Sequence, residues 1–156
     1  MFTKHICSCG DCYCSNKKKF SNGEKQKGFF IENLDSSNIC QITIDNCFET
    51  SKTLSKCDCL YSFSSTKEPN LIKKLLFVEF KGKNFEHGIK QLEDTYIRMK
   101  SMISTISPIP EVRAIIISPK CPMTSSEVKK LKLDFLRKHK ISFSPEKPNF
   151  VHKHNF

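Results

Sequence analysis

The chain has 156 residues, 38% of them apolar and 27% charged. That is enough to bury one core, and it excludes a chain disordered throughout. Mean hydropathy is −0.41 and no apolar run approaches the ~18 residues of a membrane span, so no membrane partner is expected. Twenty-six Lys and Arg against sixteen Asp and Glu leave a net charge of +10, which favours an anionic partner, nucleic acid first.

Residues 1–28 form a Cys-rich segment ahead of the main domain, residues 29–156. Met1–Gly10 lacks the apolar stretch of a secretory signal, so a cytoplasmic setting is expected. In that setting nine cysteines read as buried thiols or metal ligands and not as a disulfide framework. His5, Cys7, Cys9, Cys12 and Cys14 place five soft ligands in ten residues, and Cys9-Gly10-Asp11-Cys12 has knuckle spacing. The segment is loop, disorder or a zinc knuckle built from Cys7, Cys9, Cys12 and Cys14. His5, or a pair from Cys40, Cys47, Cys57 and Cys59, could complete the set instead. Otherwise the later cysteines, Cys121 included, serve as small buried hydrophobes.

Ile39–Ile44 contains apolar Ile39, Cys40, Ile42 and Ile44 with β-branched Thr43 among them and predicts a strand, broken by Asp45-Asn46. Cys57–Phe63 is a second strand, and Ser64–Asn70 a turn with Pro69. Leu75–Phe80 is nearly all apolar and predicts a strand central in a sheet. Ile89, Leu92, Tyr96, Met99, Ile103 and Ile106 then recur at spacings of 3, 4, 3, 4 and 3, one side of a helix over 85–105 with Asn84 as N-cap. Pro108 and Pro110 stop it. Ala114–Ile117 is a short strand. Thr124-Ser125-Ser126-Glu127 is a capping box for a second helix with Val128, Leu131, Phe135 and Leu136 on its buried stripe. Ser142–Phe156 reads as irregular. The predicted fold is α/β: a three-strand antiparallel meander, a crossover helix, a fourth strand and a second helix around a mixed sheet.

Residues 113–156 hold ten basic and three acidic groups. Lys129, Lys130, Lys132, Arg137 and Lys138, together with Lys83, are candidate nucleic-acid contacts. The plainer reading of that helix is a solvated face.

Asp58, Glu79 and Lys81 carry the chemistry. Residues two apart on a strand share a face, so Glu79 and Lys81 project together while Phe80 points the other way. If the second and third strands pair, Asp58 approaches the same edge. Two carboxylates suit a hard divalent cation that also binds substrate phosphate oxygens, and a neighbouring ammonium can stabilise developing charge. The plainer reading is an edge carrying a Glu–Lys pair.

Asp58, twenty intervening residues, then Glu79-Phe80-Lys81 resembles the PD-(D/E)XK nuclease superfamily, of restriction-endonuclease-like fold. Val78–Lys83 followed by His87–Leu92 is similar to that family's strand-to-helix passage, and the resemblance covers about residues 39–118. It implies Asp58, Glu79 and the Phe80 carbonyl as ligands of Mg²⁺ or Mn²⁺, Lys81 as catalytic lysine, and Gln91 near the metal. Asp45 is a further candidate carboxylate. Cys57 stands where the eponymous proline would be, and Glu24, Glu32 and Glu49 are candidates for the family's early acidic residue. The expected activity is phosphodiester hydrolysis, in DNA ahead of RNA, with a homodimer or a partner subunit for double-strand cutting. The rival expectation is a basic nucleic-acid-binding module without catalysis and with a zinc-binding N-terminus.

Overall fold

A computed structural model describes residues 12–21, 28–44, 55–82, 84–120 and 125–155. Strands β1 (Cys12–Ser15), β2 (Lys19–Ser21), β3 (Phe29–Asn33), β4 (Asn38–Thr43), β5 (Cys59–Ser64) and β6 (Ile72–Phe80) precede helix α1 (Phe85–Ser104). Strand β7 (Glu111–Ile117), helix α2 (Ser126–His139) and strands β8 (Ser142–Glu146) and β9 (Phe150–His154) follow.

Six strands form a mixed sheet in the order β1-β4-β5-β6-β7-β8, and β2-β3-β9 form a smaller one. β4, β5 and β6 are an antiparallel meander. α1 then crosses over to β7, which runs parallel to β6, and β8 runs parallel to β7. No helix among the described residues is long and apolar enough to cross a membrane.

The β6 run is apolar on both faces because both faces are covered. Leu75 and Phe77 pack towards the helices with Ile89, Leu92, Tyr96 and Met99. Leu76, Val78 and Phe80 pack towards the small sheet with Phe29, Ile31 and Tyr61. Strand parity therefore puts Glu79 on the helix side.

Three local readings change. Where the composition of residues 1–28 suggests no regular structure, Cys12–Ser21 supplies β1 and β2, paired to β4 and β3. The tail is not irregular: β8 pairs with β7, and β9 runs parallel to β3, more than a hundred residues upstream. Short strands with such distant partners carry little signal of their own. The α2 cap is Ser125, whose hydroxyl accepts from the Val128 N–H at 3.2 Å, and Thr124 lies outside the described residues. On α2, Val128, Phe135 and His139 are buried, while Leu136 is 43% exposed.

Cys14 is disulfide-bonded to Cys40 across the β1–β4 pair, where the two residues are direct register partners. This corrects the reading of Cys40 as a buried thiol. A disulfide sulfur is no thiolate, so Cys14 could join a zinc set only after reduction. Cys7 and Cys9, like His5, lie outside the described residues.

Candidate active site at the ends of β5 and β6

Glu79 is the last residue but one of β6 and is fully buried. A carboxylate in that position needs partners, and it has two. Lys81 Nζ lies 2.9 Å from its Oε1, and the Asp58 backbone N–H donates to its Oε2 at 3.0 Å. Asp58 answers: its Oδ2 accepts from the Phe80 N–H at 2.7 Å. Each carboxylate is thus tied to the other strand's backbone, which fixes the register of the two acids. The Lys81 N–H donates to the Ile117 carbonyl at 2.8 Å, so the β6–β7 ladder continues through the lysine and holds its backbone rigid.

Electrostatics follow from that geometry. Burial, and then the nearby Asp58 charge, push Glu79 up to about 8, against the pull of Lys81. At neutral pH its carboxyl holds a proton unless a further cation arrives. Burial first and the Glu79 carboxylate second push the Cys57 thiol well above its ordinary value, so it offers no thiolate nucleophile.

Helix α1 covers the site. Asn84 caps it through its side-chain oxygen, which accepts from the His87 N–H at 3.0 Å. His87 itself is exposed. Gly88 packs against the two charged residues. A Cβ there would stand 2.8 Å from Lys81 Cγ and 3.5 Å from Glu79 Cγ, so only glycine lets the helix approach this closely.

Gln91 does not face the two carboxylates through its amide nitrogen. Its Nε2 donates to the Lys56 carbonyl at 2.6 Å, and its Oε1 is buried with no hydrogen-bond partner among the described residues. One turn on, the fully buried Thr95 accepts from the Cys57 N–H at 2.8 Å and donates to the Gln91 carbonyl at 2.7 Å. Arg98 then donates to the Ser55 carbonyl. Gln91, Thr95 and Arg98, at i, i+4 and i+7, grip three successive residues of the chain that delivers Asp58. Thr95, Arg98 and Gly88 were not among the sequence candidates. Thr95 and Arg98 continue Gln91 as a polar stripe at helical spacing beside the apolar one, a signal that Gly88 does not share.

The remaining candidates are dispersed. Lys129, Lys130, Lys132, Arg137 and Lys138 are exposed on α2. Lys138 is engaged by Glu93, which also meets His139 Nε2 at 2.9 Å, so that lysine also fastens α2 to α1. Asp45, Lys83, Glu24 and Glu49 lie outside the described residues, and Glu32 sits on β3 in the other sheet. Among the described residues no group of three or more His, Cys, Asp or Glu stands close enough to hold a metal by itself. No protein-family model, no curated protein and no solved structure matches this chain.

Proposed function

We propose that the chain is a divalent-cation-dependent nuclease of restriction-endonuclease-like architecture, acting on DNA. The observation that carries the reading is the reciprocal tie between Asp58 and Glu79, with Lys81 ion-paired to Glu79 at the same strand ends. The antiparallel meander with a helical crossover to a parallel strand supports it, as the arrangement in which that family sets its acids.

The donor set fits a hard cation such as Mg²⁺ or Mn²⁺: two carboxylates, one of them buried and carrying a proton that a cation would displace. Asp58 and Glu79 would hold it, with the Phe80 carbonyl as a further oxygen. Once bound, the ion supplies charge neutralisation at the phosphodiester and acidifies a water. Lys81, whose ammonium lies 2.9 Å from Glu79 Oε1, would stabilise developing charge at the phosphorus. The Gln91–Thr95–Arg98 grip keeps Asp58 in place, and Gly88 leaves room for the lysine.

A second reading is a non-catalytic nucleic-acid binder. The observation in its favour is that Glu79 already has protein neighbours at both oxygens, the Asp58 N–H donating to Oε2 and the Lys81 ammonium 2.9 Å from Oε1. Plasmid incubated with the protein and Mg²⁺ separates the two. Cutting by the parent that Asp58→Ala and Lys81→Ala both lose is the expected result. Intact DNA with a salt-sensitive gel shift would favour the binder.

A further inference from the structure

Between the two sheets, on the face away from Asp58 and Glu79, lies a cavity of about 220 Å³. Leu76, Ile115 and Phe150 form its apolar walls, and Arg113, Ser142, Ser144, Glu146 and His152 its polar lining. It exists because the small sheet ends at β9 while the large sheet continues through β7 to β8. Ser142, Ser144 and Glu146 alternate with Phe143, which faces the helix-side core, so their side chains turn to the cavity side.

The imidazole of His152 is the group the fold leaves unexplained. Its ring sits against Phe29 at 6.4 Å and Phe63 at 6.3 Å between centroids. Aromatic faces offer no hydrogen-bond acceptor in the ring plane, and Nε2 is buried with no partner among the described residues. Buried polar atoms are nearly always satisfied, by protein, water or a bound species. The charges around the ring are of both signs, Lys74 and Arg113 against Glu111 and the lining Glu146, while His154, held down at about 4 by burial first, is neutral at pH 7. Lys74 is buried on β6, His154 follows on β9, and Arg113 stands at the exposed mouth. Glu111 engages Arg113 through Nε, but a guanidinium has five N–H donors. Burial, then Lys74, His154 and Arg113, hold His152 down at about 4, with Glu111 opposing.

We propose that this cavity binds a small tetrahedral oxyanion, a phosphate group above all, held by Arg113, the Ser142 and Ser144 hydroxyls and His152. An oxyanion would accept from the remaining guanidinium N–H groups and the serine hydroxyls, and would give Nε2 the partner it lacks. Glu146 also lines the cavity, where burial raises its carboxyl against the pull of Lys132. This site is independent of the nuclease reading and shares no residue with it.

The test is a titration of the intact protein with inorganic phosphate at pH 7 and constant ionic strength, followed by the imidazole resonances of His152. A saturable shift at His152, absent at exposed His87 and absent with chloride, is expected. Arg113→Gln and Ser144→Ala should each weaken it, the former at least about tenfold. Adenosine monophosphate and adenosine form two further arms. A shift with the nucleotide alone would assign the phosphate to an ester, and the proposal stands. No saturable shift with either phosphate species, or an equal shift with adenosine, overturns it.

Discussion

Replacing Glu79 with Gln tests the electrostatics of the candidate site without emptying it. In the folded protein Glu79 titrates at about 8, against an ordinary value of 4.5. Between those values the folded chain keeps a proton that the unfolded chain releases. Stability contributed by this residue is therefore complete below about pH 4.5 and falls as pH rises, until the loss levels off above about 8. At about 1.4 kcal/mol per tenfold, the whole loss is about 5 kcal/mol, a large share of the about 5–15 kcal/mol of a typical domain. Glu79→Gln keeps the shape and the acceptor for the Asp58 N–H but cannot ionise. Urea unfolding followed by circular dichroism from pH 5 to pH 9 reads the difference. The parent should lose about 4 kcal/mol of stability against the variant across that range, and Mg²⁺ should restore part of it to the parent alone. Other titrating groups are common to both proteins and cancel. Parallel curves, within about 0.5 kcal/mol, would refute the buried, proton-holding carboxyl.

Gly88→Ala should press its Cβ onto Lys81 Cγ and cut DNA cleavage by about 100-fold through misplacement. Stability should stay within about 1 kcal/mol because alanine favours the helix; paired unfolding and single-turnover cleavage measurements check both. Thr95→Val removes the acceptor for the Cys57 N–H in a dry site. Its expected cost is about 1–3 kcal/mol, and faster amide exchange at Cys57 would mark the loss locally. Reducing Cys14–Cys40, 26 residues apart, should lower stability by about 3 kcal/mol, seen as a shift in the urea midpoint with dithiothreitol that Cys14→Ser/Cys40→Ser lacks.

What was legible in the sequence was what repeats locally. The 3-and-4 spacing of Ile89–Ile106 gave α1, expected over 85–105 and found over Phe85–Ser104. The dense apolar run Leu75–Phe80 gave β6, and its burial on both faces takes Glu79 with it. Strand parity placed Glu79 and Phe80 on opposite faces. β3, β8 and β9 were missed because each is five residues long with its identity set by a distant partner. The Cys14–Cys40 bond was missed for a related reason: spacing along the chain says nothing of cross-strand register. Gln91 shows the finer limit. A glutamine flanking an apolar stripe is visible in the sequence, but its hold on the Lys56 carbonyl depends on where the 55–57 segment crosses α1.

Titration calorimetry with Mn²⁺ at pH 8.5, above the Glu79 titration, addresses the central claim most directly: that Asp58 and Glu79 together grip a divalent cation. The parent should bind at one site, more weakly as pH falls because the ion must displace a proton, and Asp58→Asn and Glu79→Gln should each abolish it. Binding unchanged in both variants, or none in the parent, would contradict the account.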